Sequence, residues 1–257
     1  MGGSFRPMDS ALIKILKRSR RILVLTGAGV SAESGIPTFR DKQTGLWENF
    51  DAAELANEDA FRKDPALVWG WYEWRRALVV RAKPNPAHSA LADLARHRPE
   101  MVLVTQNVDD LHERAGSTAV LHLHGELLKP RCEKCSRPYH FSDAIPDLPP
   151  DGGRIKPPRC PDCLWHIRPG VVWFGEPISA PAWSAAVEAA RHCELFLCVG
   201  TSARVQPAAS LGMRASKAGA VTVQVNPNPT DFDEEVDYCV RAPAGVALPE
   251  ITKAMTD

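Results

Sequence analysis

The chain has 257 residues, 31 Lys and Arg against 31 Asp and Glu, and 44% hydrophobic residues, so its formal net charge is zero and its composition is that of an ordinary globular protein. The length suits one large domain, or one large and one small, with enough apolar side chains to build a core without disulfide staples. Balanced charge excludes a protein that coats polyanions through a basic face, and no apolar run reaches the ~18 to 20 residues that span a bilayer, so neither nucleic acid nor membrane is expected as a partner.

The basic start, Met1 to Arg21, places Lys14, Lys17 and Arg18 inside any signal-peptide core, which predicts a cytoplasmic protein. Asp9 and Ser10 can cap a helix carrying Ala11, Leu12, Ile15 and Leu16 at helical spacing, and the apolar run 22–25 then reads as a buried strand. Gly27-Ala28-Gly29-Val30-Ser31-Ala32 follows at once and fits G-x-G-x-x-A, where the first Gly allows a tight turn and the second lets backbone approach a pyrophosphate. A plain strand-to-helix turn is the alternative. The polar segment Glu33-Ser34-Gly35-Ile36-Pro37-Thr38-Phe39-Arg40-Asp41, broken by Gly and Pro, is predicted to be a loop over a bound nucleotide. A dehydrogenase would instead continue into a helix and a second strand ending in an acid about 20 residues on.

Further apolar runs at 101–104, 120–123, 195–199 and 221–225 have strand length and Val/Leu character on both faces, as buried parallel strands do. Helical patterns at 87–95 and 182–191 lie among them, and the alternation predicts a doubly wound α/β fold, a Rossmann-like parallel sheet. Two stretches break it. Residues 46–82 are rich in Trp, Ala and charge at helical spacing, and 129–169 contain Pro146, Pro149, Pro150, Pro157, Pro158 and Pro161, which forbid regular helices. The expected organisation is a nucleotide-binding domain from 1–45, 83–128 and 170–257, with the insertions 46–82 and 129–169 forming a smaller helical and zinc-bearing domain against the sheet's carboxyl-edge crevice.

Cys132, Cys135, Cys160 and Cys163 form two C-x-x-C pairs separated by 24 residues. Each C-x-x-C turn places two thiolates on one side of a loop, and two such turns complete the closed tetrahedron of a structural zinc; a redox pair or two disulfides are the alternatives. The remaining Cys193, Cys198 and Cys239 are expected in the core. Thr105-Gln106-Asn107-Val108-Asp109-Asp110 and His124-Gly125-Glu126 follow two neighbouring strands, bringing an amide, a carboxylate and an imidazole toward one crevice. Singly, Asp109 reads as a helix cap and His124 as a core or surface histidine.

With these stretches in place the chain resembles a sirtuin, an NAD-dependent protein-lysine deacylase, and it does so from about residue 20 to 245 in family order. The resemblance rests on Gly27 to Arg40, on Thr105 to Asp109, on His124-Gly125, on the four cysteines, on Val172-Trp173-Phe174-Gly175-Glu176, on Gly200-Thr201-Ser202, and on Val225-Asn226. It implies NAD as co-substrate and one structural Zn²⁺. Gly27, Ala28, Gly29, Ser31, Ala32, Thr38, Phe39, Arg40 and Trp47 would then line the nucleotide. Gln106, Asn107 and Asp109 would line the nicotinamide-ribose pocket, with Gly200, Thr201, Ser202, Asn226 and Ala244 around the adenosine half. It further implies that an acyl-lysine carbonyl oxygen attacks the ribose carbon as nicotinamide leaves, that His124 is the general base and Asn107 a catalytic partner, and that the acyl group ends on ADP-ribose.

The same resemblance implies that Val172, Trp173, Phe174 and Gly175 pair with substrate backbone as an added strand; a plain core strand is the alternative. Tyr72 and Arg75 lie three apart on a predicted helix, where phenol and guanidinium could grip a carboxylate. Tyr-x-x-Arg also occurs in sirtuins that remove succinyl and malonyl groups, so acidic acyl chains are expected alongside acetyl. Rival readings are an acetyl-specific deacetylase, a protein ADP-ribosyltransferase sharing the nicotinamide-release step, a dehydrogenase, and a zinc-ribbon nucleic-acid adaptor. The last is disfavoured by the mixed charge around the cysteines. Oligomeric state is left open.

Overall fold

The computed structural model describes residues 8–38, 51–141 and 153–256. In chain order these form α1 (Ser10–Arg18), β1 (Ile22–Thr26), α2 (Ala28–Ala32), α3 (Ala52–Leu55), α4 (Glu58–Lys63), α5 (Pro65–Arg81), α6 (Pro86–His97), β2 (Val102–Thr105), α7 (Leu111–Arg114) and β3 (Val120–His122). They continue with β4 (Arg131–Cys132), β5 (Ile167–Arg168), α8 (Ala180–His192), β6 (Leu195–Val199), α9 (Ser210–Lys217), β7 (Val221–Val225), β8 (Tyr238–Val240) and α10 (Ala244–Thr256). Asp9 caps α1 by accepting from the Ala11 amide, as expected of a short acidic side chain at a helix start.

Six strands form one sheet in the order β3-β2-β1-β6-β7-β8, parallel throughout. The order reverses between β1 and β6, which opens a crevice at the strands' carboxyl ends. Residues of β1 alternate between two cores: Ile22 and Val24 pack with α1, α6 and α10, whereas Leu23 and Leu25 pack with α8 and α9. All five β1 residues are buried, and each large apolar side chain there contributes about 1.5–3 kcal/mol. The sequence reading misses β8 and, at β3, overstates burial, since Val120, Leu121 and His122 are all half-buried. It also errs on Cys239, which is exposed because it faces outward on the sheet's edge strand, whereas Cys193 and Cys198 are buried.

A third core joins α3, α4 and α5 to the cysteine-bearing segment, with Phe61, Trp71, Tyr72, Cys132, Cys160, Ile167 and Trp173 in one cluster. Asp64 caps α5 and Pro65 occupies its first turn, where the missing N–H costs nothing. Because α5 is buried nearly all round, its charges need partners: Glu73 and Arg76 pair at 2.9 Å, and the Arg76 guanidinium lies 4.0 Å from the Phe141 ring centre. Gly70 lets this helix close on the segment behind it, because a Cβ there would stand 1.9 Å from the Gly153 carbonyl oxygen.

His88 on α6 and His112 on α7 pack with ring centres 4.9 Å apart and planes tilted by 59°. Burial lowers both, to about 4 for His88 and about 3 for His112. Each stays neutral in the fold while an unfolded chain would protonate it near pH ~6.5, so the stability is present above that pH and declines as pH falls toward the folded values. Urea unfolding between about pH 6.5 and 5, above most carboxylate titration, should lose stability at a slope that approaches about 1.4 kcal/mol per pH unit for each of these histidines as the unfolded ring becomes fully protonated. His112→Gln should make that slope shallower.

Candidate active site

The carboxyl ends of the central strands are tied together by backbone. The Gly27 amide donates to the Val199 carbonyl at 3.0 Å, Gly29 to Gly200 at 2.8 Å, Gln106 to Thr26 at 2.9 Å, and Gly200 to Val225 at 3.0 Å. A side chain at Gly27 or Gly29 would stand 2.9 Å or 2.7 Å from the Gly200 carbonyl oxygen, so the glycines are required by close packing as well as by any ligand. Above this floor lies a cavity of about 760 Å³.

The walls of that cavity are polar at one end. Asn107 Nδ2 donates to Ser31 Oγ at 3.1 Å, and Ser31 Oγ donates to Asp109 Oδ2 at 2.9 Å. Burial pushes the Asp109 carboxyl up, opposed by the Leu111 amide and by Ser31. Gln106 Nε2 donates to Thr201 Oγ1 at 3.0 Å, and Asn226 Nδ2 to the Thr201 carbonyl at 3.1 Å, which joins the loops after β2, β6 and β7. His124 Nδ1 stands 3.1 Å from the Gln106 carbonyl oxygen. A carbonyl only accepts, so Nδ1 carries the proton and Nε2 keeps its lone pair. Burial lowers the His124 pKa, with the Gln106 bond working the other way, and the ring is therefore a neutral base at physiological pH.

His122, the last residue of β3 and two residues before His124, is held differently. Its Nδ1 lies 3.1 Å from the Asn107 carbonyl oxygen and its Nε2 lies 2.8 Å from Glu113 Oε1. The end of β3 and the turn after it thus supply two histidines that grip consecutive carbonyls of the Gln106-Asn107 turn.

Another part of the lining is aromatic. Trp173 Nε1 donates to Tyr72 Oη at 3.0 Å, and burial raises the Tyr72 hydroxyl well above its ordinary value, so it stays a neutral phenol. Arg75 is likewise buried, its guanidinium 5.3 Å from the Trp71 ring centre, and both Tyr72 and Arg75 line the cavity. Residues 171–176 form no regular strand but make two isolated bridges, Gly125 with Val171 and Asn57 with Phe174. Val172 donates to the His124 carbonyl at 2.8 Å and Phe174 to the Ala56 carbonyl at 2.9 Å, after which Gly175 turns the chain at φ +88°. Glu176 accepts the Trp173 amide at 2.8 Å and pairs with Arg168, which stacks 3.5 Å from the Trp173 ring centre. Phe174 is left 52% exposed at the rim.

The cavity lining brings together Gly27, Ala28, Gly29, Ser31, Ala32, Thr38, Tyr72, Arg75, Gln106, Asn107, Asp109, His124, Val172 to Gly175, Gly200, Thr201, Ser202, Asn226 and Ala244. Phe39, Arg40 and Trp47 lie outside the described residues. Glu33 and Asn228 also line it and were not anticipated. The signal for Asn228 was the Asn-Pro-Asn-Pro run after a strand; nothing local marked Glu33, whose carboxylate accepts the Gly245 amide 2.8 Å away.

Away from the crevice, the four cysteine sulfurs all lie within 4.8 Å of one another, with Cys132 and Cys163 at 3.4 Å and Cys135 and Cys160 at 3.7 Å. Disulfides are excluded at those separations, whereas thiolates around a tetrahedral zinc stand about 3.8 Å apart. With four sulfur ligands such a zinc has no open position, so it is structural.

The Sir2 family matches residues 27–207, and the chain belongs to it. It is 54% identical over 244 residues to an NAD-dependent protein deacylase of Methylococcus capsulatus, covering 95% of this chain and 96% of that one. Among solved structures, a Sir2 homologue in complex with NAD superposes with TM-score 0.89 at 43% identity, covering 99% of this chain and 96% of the other. A complex of Sir2 with a p53 peptide and NAD+ superposes at 0.81 with 30% identity, covering 95% and 97%.

Proposed function

We propose that this chain is an NAD-dependent protein-lysine deacylase that releases nicotinamide and O-acyl-ADP-ribose and leaves free lysine. The observation that carries the reading is His124, a neutral imidazole with Nδ1 committed to a carbonyl and Nε2 available, beside Asn107 and Asp109 in a crevice at the sheet's switch point. Bound NAD supplies an electrophilic ribose carbon and a leaving group for attack by the acyl-lysine carbonyl oxygen. Gly27, Ala28, Gly29, Ser31, Ala32 and Thr38 hold the pyrophosphate side, and Phe39, Arg40 and Trp47, which lie outside the described residues, are assigned to the nucleotide by the family resemblance alone. Gln106, Asn107 and Asp109 orient the reacting ribose. Gly200, Thr201, Ser202, Asn226 and Ala244 hold the adenosine end. His124 Nε2 takes the proton from a ribose hydroxyl, and burial of the ring sets that step to operate at and below neutral pH.

Substrate enters between Val172–Gly175 and the helical module, beside the exposed Phe174, by strand addition. The zinc held by Cys132, Cys135, Cys160 and Cys163 supplies no reacting oxygen and serves to fix that module. We assign 1–45, 83–128 and 170–257 to the nucleotide-binding domain and 46–82 with 129–169 to the smaller one. Acyl-lysine proteins are the partners, and reduced cysteines together with the absence, among the described residues, of a helix able to cross a membrane suit a cytoplasmic enzyme.

Tyr72 and Arg75 extend the reading to acidic acyl chains: a neutral phenol and a buried guanidinium facing one cavity offer a charge-assisted pair of donors to a carboxylate. Succinyl-lysine and acetyl-lysine peptides incubated with and without NAD, followed by mass spectrometry, test both levels. Arg75→Met should cut desuccinylation about 10- to 100-fold more than deacetylation. Equal losses would show that Arg75 does not read the carboxylate. Turnover of acetyl alone would mark an acetyl-specific enzyme, and NAD-dependent labelling of the protein target would mark an ADP-ribosyltransferase.

A further inference from the structure

We infer that His122 and Glu113 form a charged pair that positions the Gln106-Asn107 turn for the reaction, a role that rests on the deacylase reading. The inference starts from hydrogen-bond stoichiometry. Nδ1 of His122 faces a carbonyl oxygen at 3.1 Å, and Nε2 faces a carboxylate oxygen at 2.8 Å. Neither partner has a proton to give, so the ring satisfies both only as an imidazolium with two N–H donors. His124, two residues on, meets a single acceptor and is neutral. Two histidines two residues apart, at and just after the end of β3, therefore have opposite charge states, one as base and one as clamp.

The surroundings favour the charge on His122. Its side chain is 7% exposed. Glu113 and the neutral His112 face it from α7, Asp109 and Asp110 from the loop before that helix, and Glu126 from the turn after β3. Burial alone would lower the His122 pKa, but the Glu113 bond and charge carry it above the ordinary histidine value. Burial likewise opposes ionisation of Glu113, yet the His122 bond holds that carboxyl below its ordinary value. The carbonyl gripped by His122 belongs to Asn107, whose side chain reaches Ser31 and through it Asp109. When His122 loses its proton, one of its two bonds must fail, either to the Asn107 carbonyl or to Glu113, and in both cases the bridge that ties the turn presenting Asn107 to α7 is broken. His122 is thus a positioning residue that requires its proton while His124 requires the absence of one.

The wild type, His122→Asn and Glu113→Gln decide the matter. Nitrogen-15 NMR of the histidine rings should show both His122 nitrogens protonated at about pH 7.5 in the wild type, where an ordinary histidine is mostly neutral, and only one of them protonated in most Glu113→Gln molecules. The wild-type profile of kcat/KM for NAD should be bell-shaped, rising as His124 deprotonates and falling as His122 does. Glu113→Gln should move the alkaline limb to lower pH, and His122→Asn, whose amide donor does not titrate, should abolish that limb at a maximum reduced about tenfold. A neutral wild-type His122 at about pH 7.5 overturns the pairing, and coincident alkaline limbs in the three proteins overturn the positioning role. Absence of wild-type turnover would instead overturn the deacylase reading, while the ring-nitrogen signals still decide the pair.

Discussion

His124→Ala lowers NAD-dependent deacylation by about 10²- to 10⁴-fold, the range expected for removal of a positioned general base. The side chain is half-buried and makes one described hydrogen bond, to the Gln106 carbonyl, so its loss leaves a small gap rather than a broken core. Zinc content and thermal unfolding should therefore stay near wild type, which separates a chemical defect from a structural one. Because burial lowers the ring's proton affinity, the acid limb of kcat/KM should lie below the ordinary histidine value of about 6.5. A limb above that value, or activity of His124→Ala within a few-fold of wild type, would remove His124 from the reaction.

Replacing Cys160 with Ser, or stripping zinc with a strong chelator, abolishes activity by unfolding the smaller module. Structural zinc in thiolate sites contributes on the order of 10–16 kcal/mol, more than an ordinary domain's whole stability. Cys132 and Cys160 are buried in the cluster that contains Tyr72, Trp173 and Phe61, and β4 with Cys132 pairs with β5, which carries Arg168 beneath the Trp173 ring. Loss of the metal therefore propagates to the cavity wall at Tyr72 through Arg168 and Trp173. Metal analysis should give one zinc per wild-type chain. Stripped protein should show exposed tryptophan fluorescence, with activity returning on zinc addition. Full activity of a verified zinc-free protein would show that the module holds itself together.

Much of this arrangement was legible because the chemistry sits where strands end. Asn107 and His124 announced themselves as polar residues directly after apolar runs, and the cysteine spacing implied a closed tetrahedron before any coordinates. What escaped depended on contacts between segments that carry no local signature. β8 is three residues long and follows an acidic turn, too short for a periodic pattern. α10 contains Pro249, which reads as a breaker, yet the proline sits early enough that only the first turn loses a bond. Cys239 looked like core from its neighbours Tyr238 and Val240 but lies on the outward side of an edge strand. The Glu113 and His122 pair was invisible for the same reason: it exists only because α7 folds back over the end of β3.

The glycines at the crevice floor carry a consequence for how this protein can change. A Cβ at Gly29 would stand 2.8 Å from the Gly200 Cα, and one at Gly200 would stand 2.5 Å from the Val30 nitrogen and 2.8 Å from the Gly29 carbonyl carbon. In most cores an oversized residue is rescued by trimming its neighbour. Here the neighbour is already backbone with nothing left to trim, so no second-site substitution in the pair can restore the fit. Suppressor genetics on Gly29→Ala or Gly200→Ala should accordingly return true revertants, and the loop pair should behave as a fixed point around which the rest of the crevice diversifies.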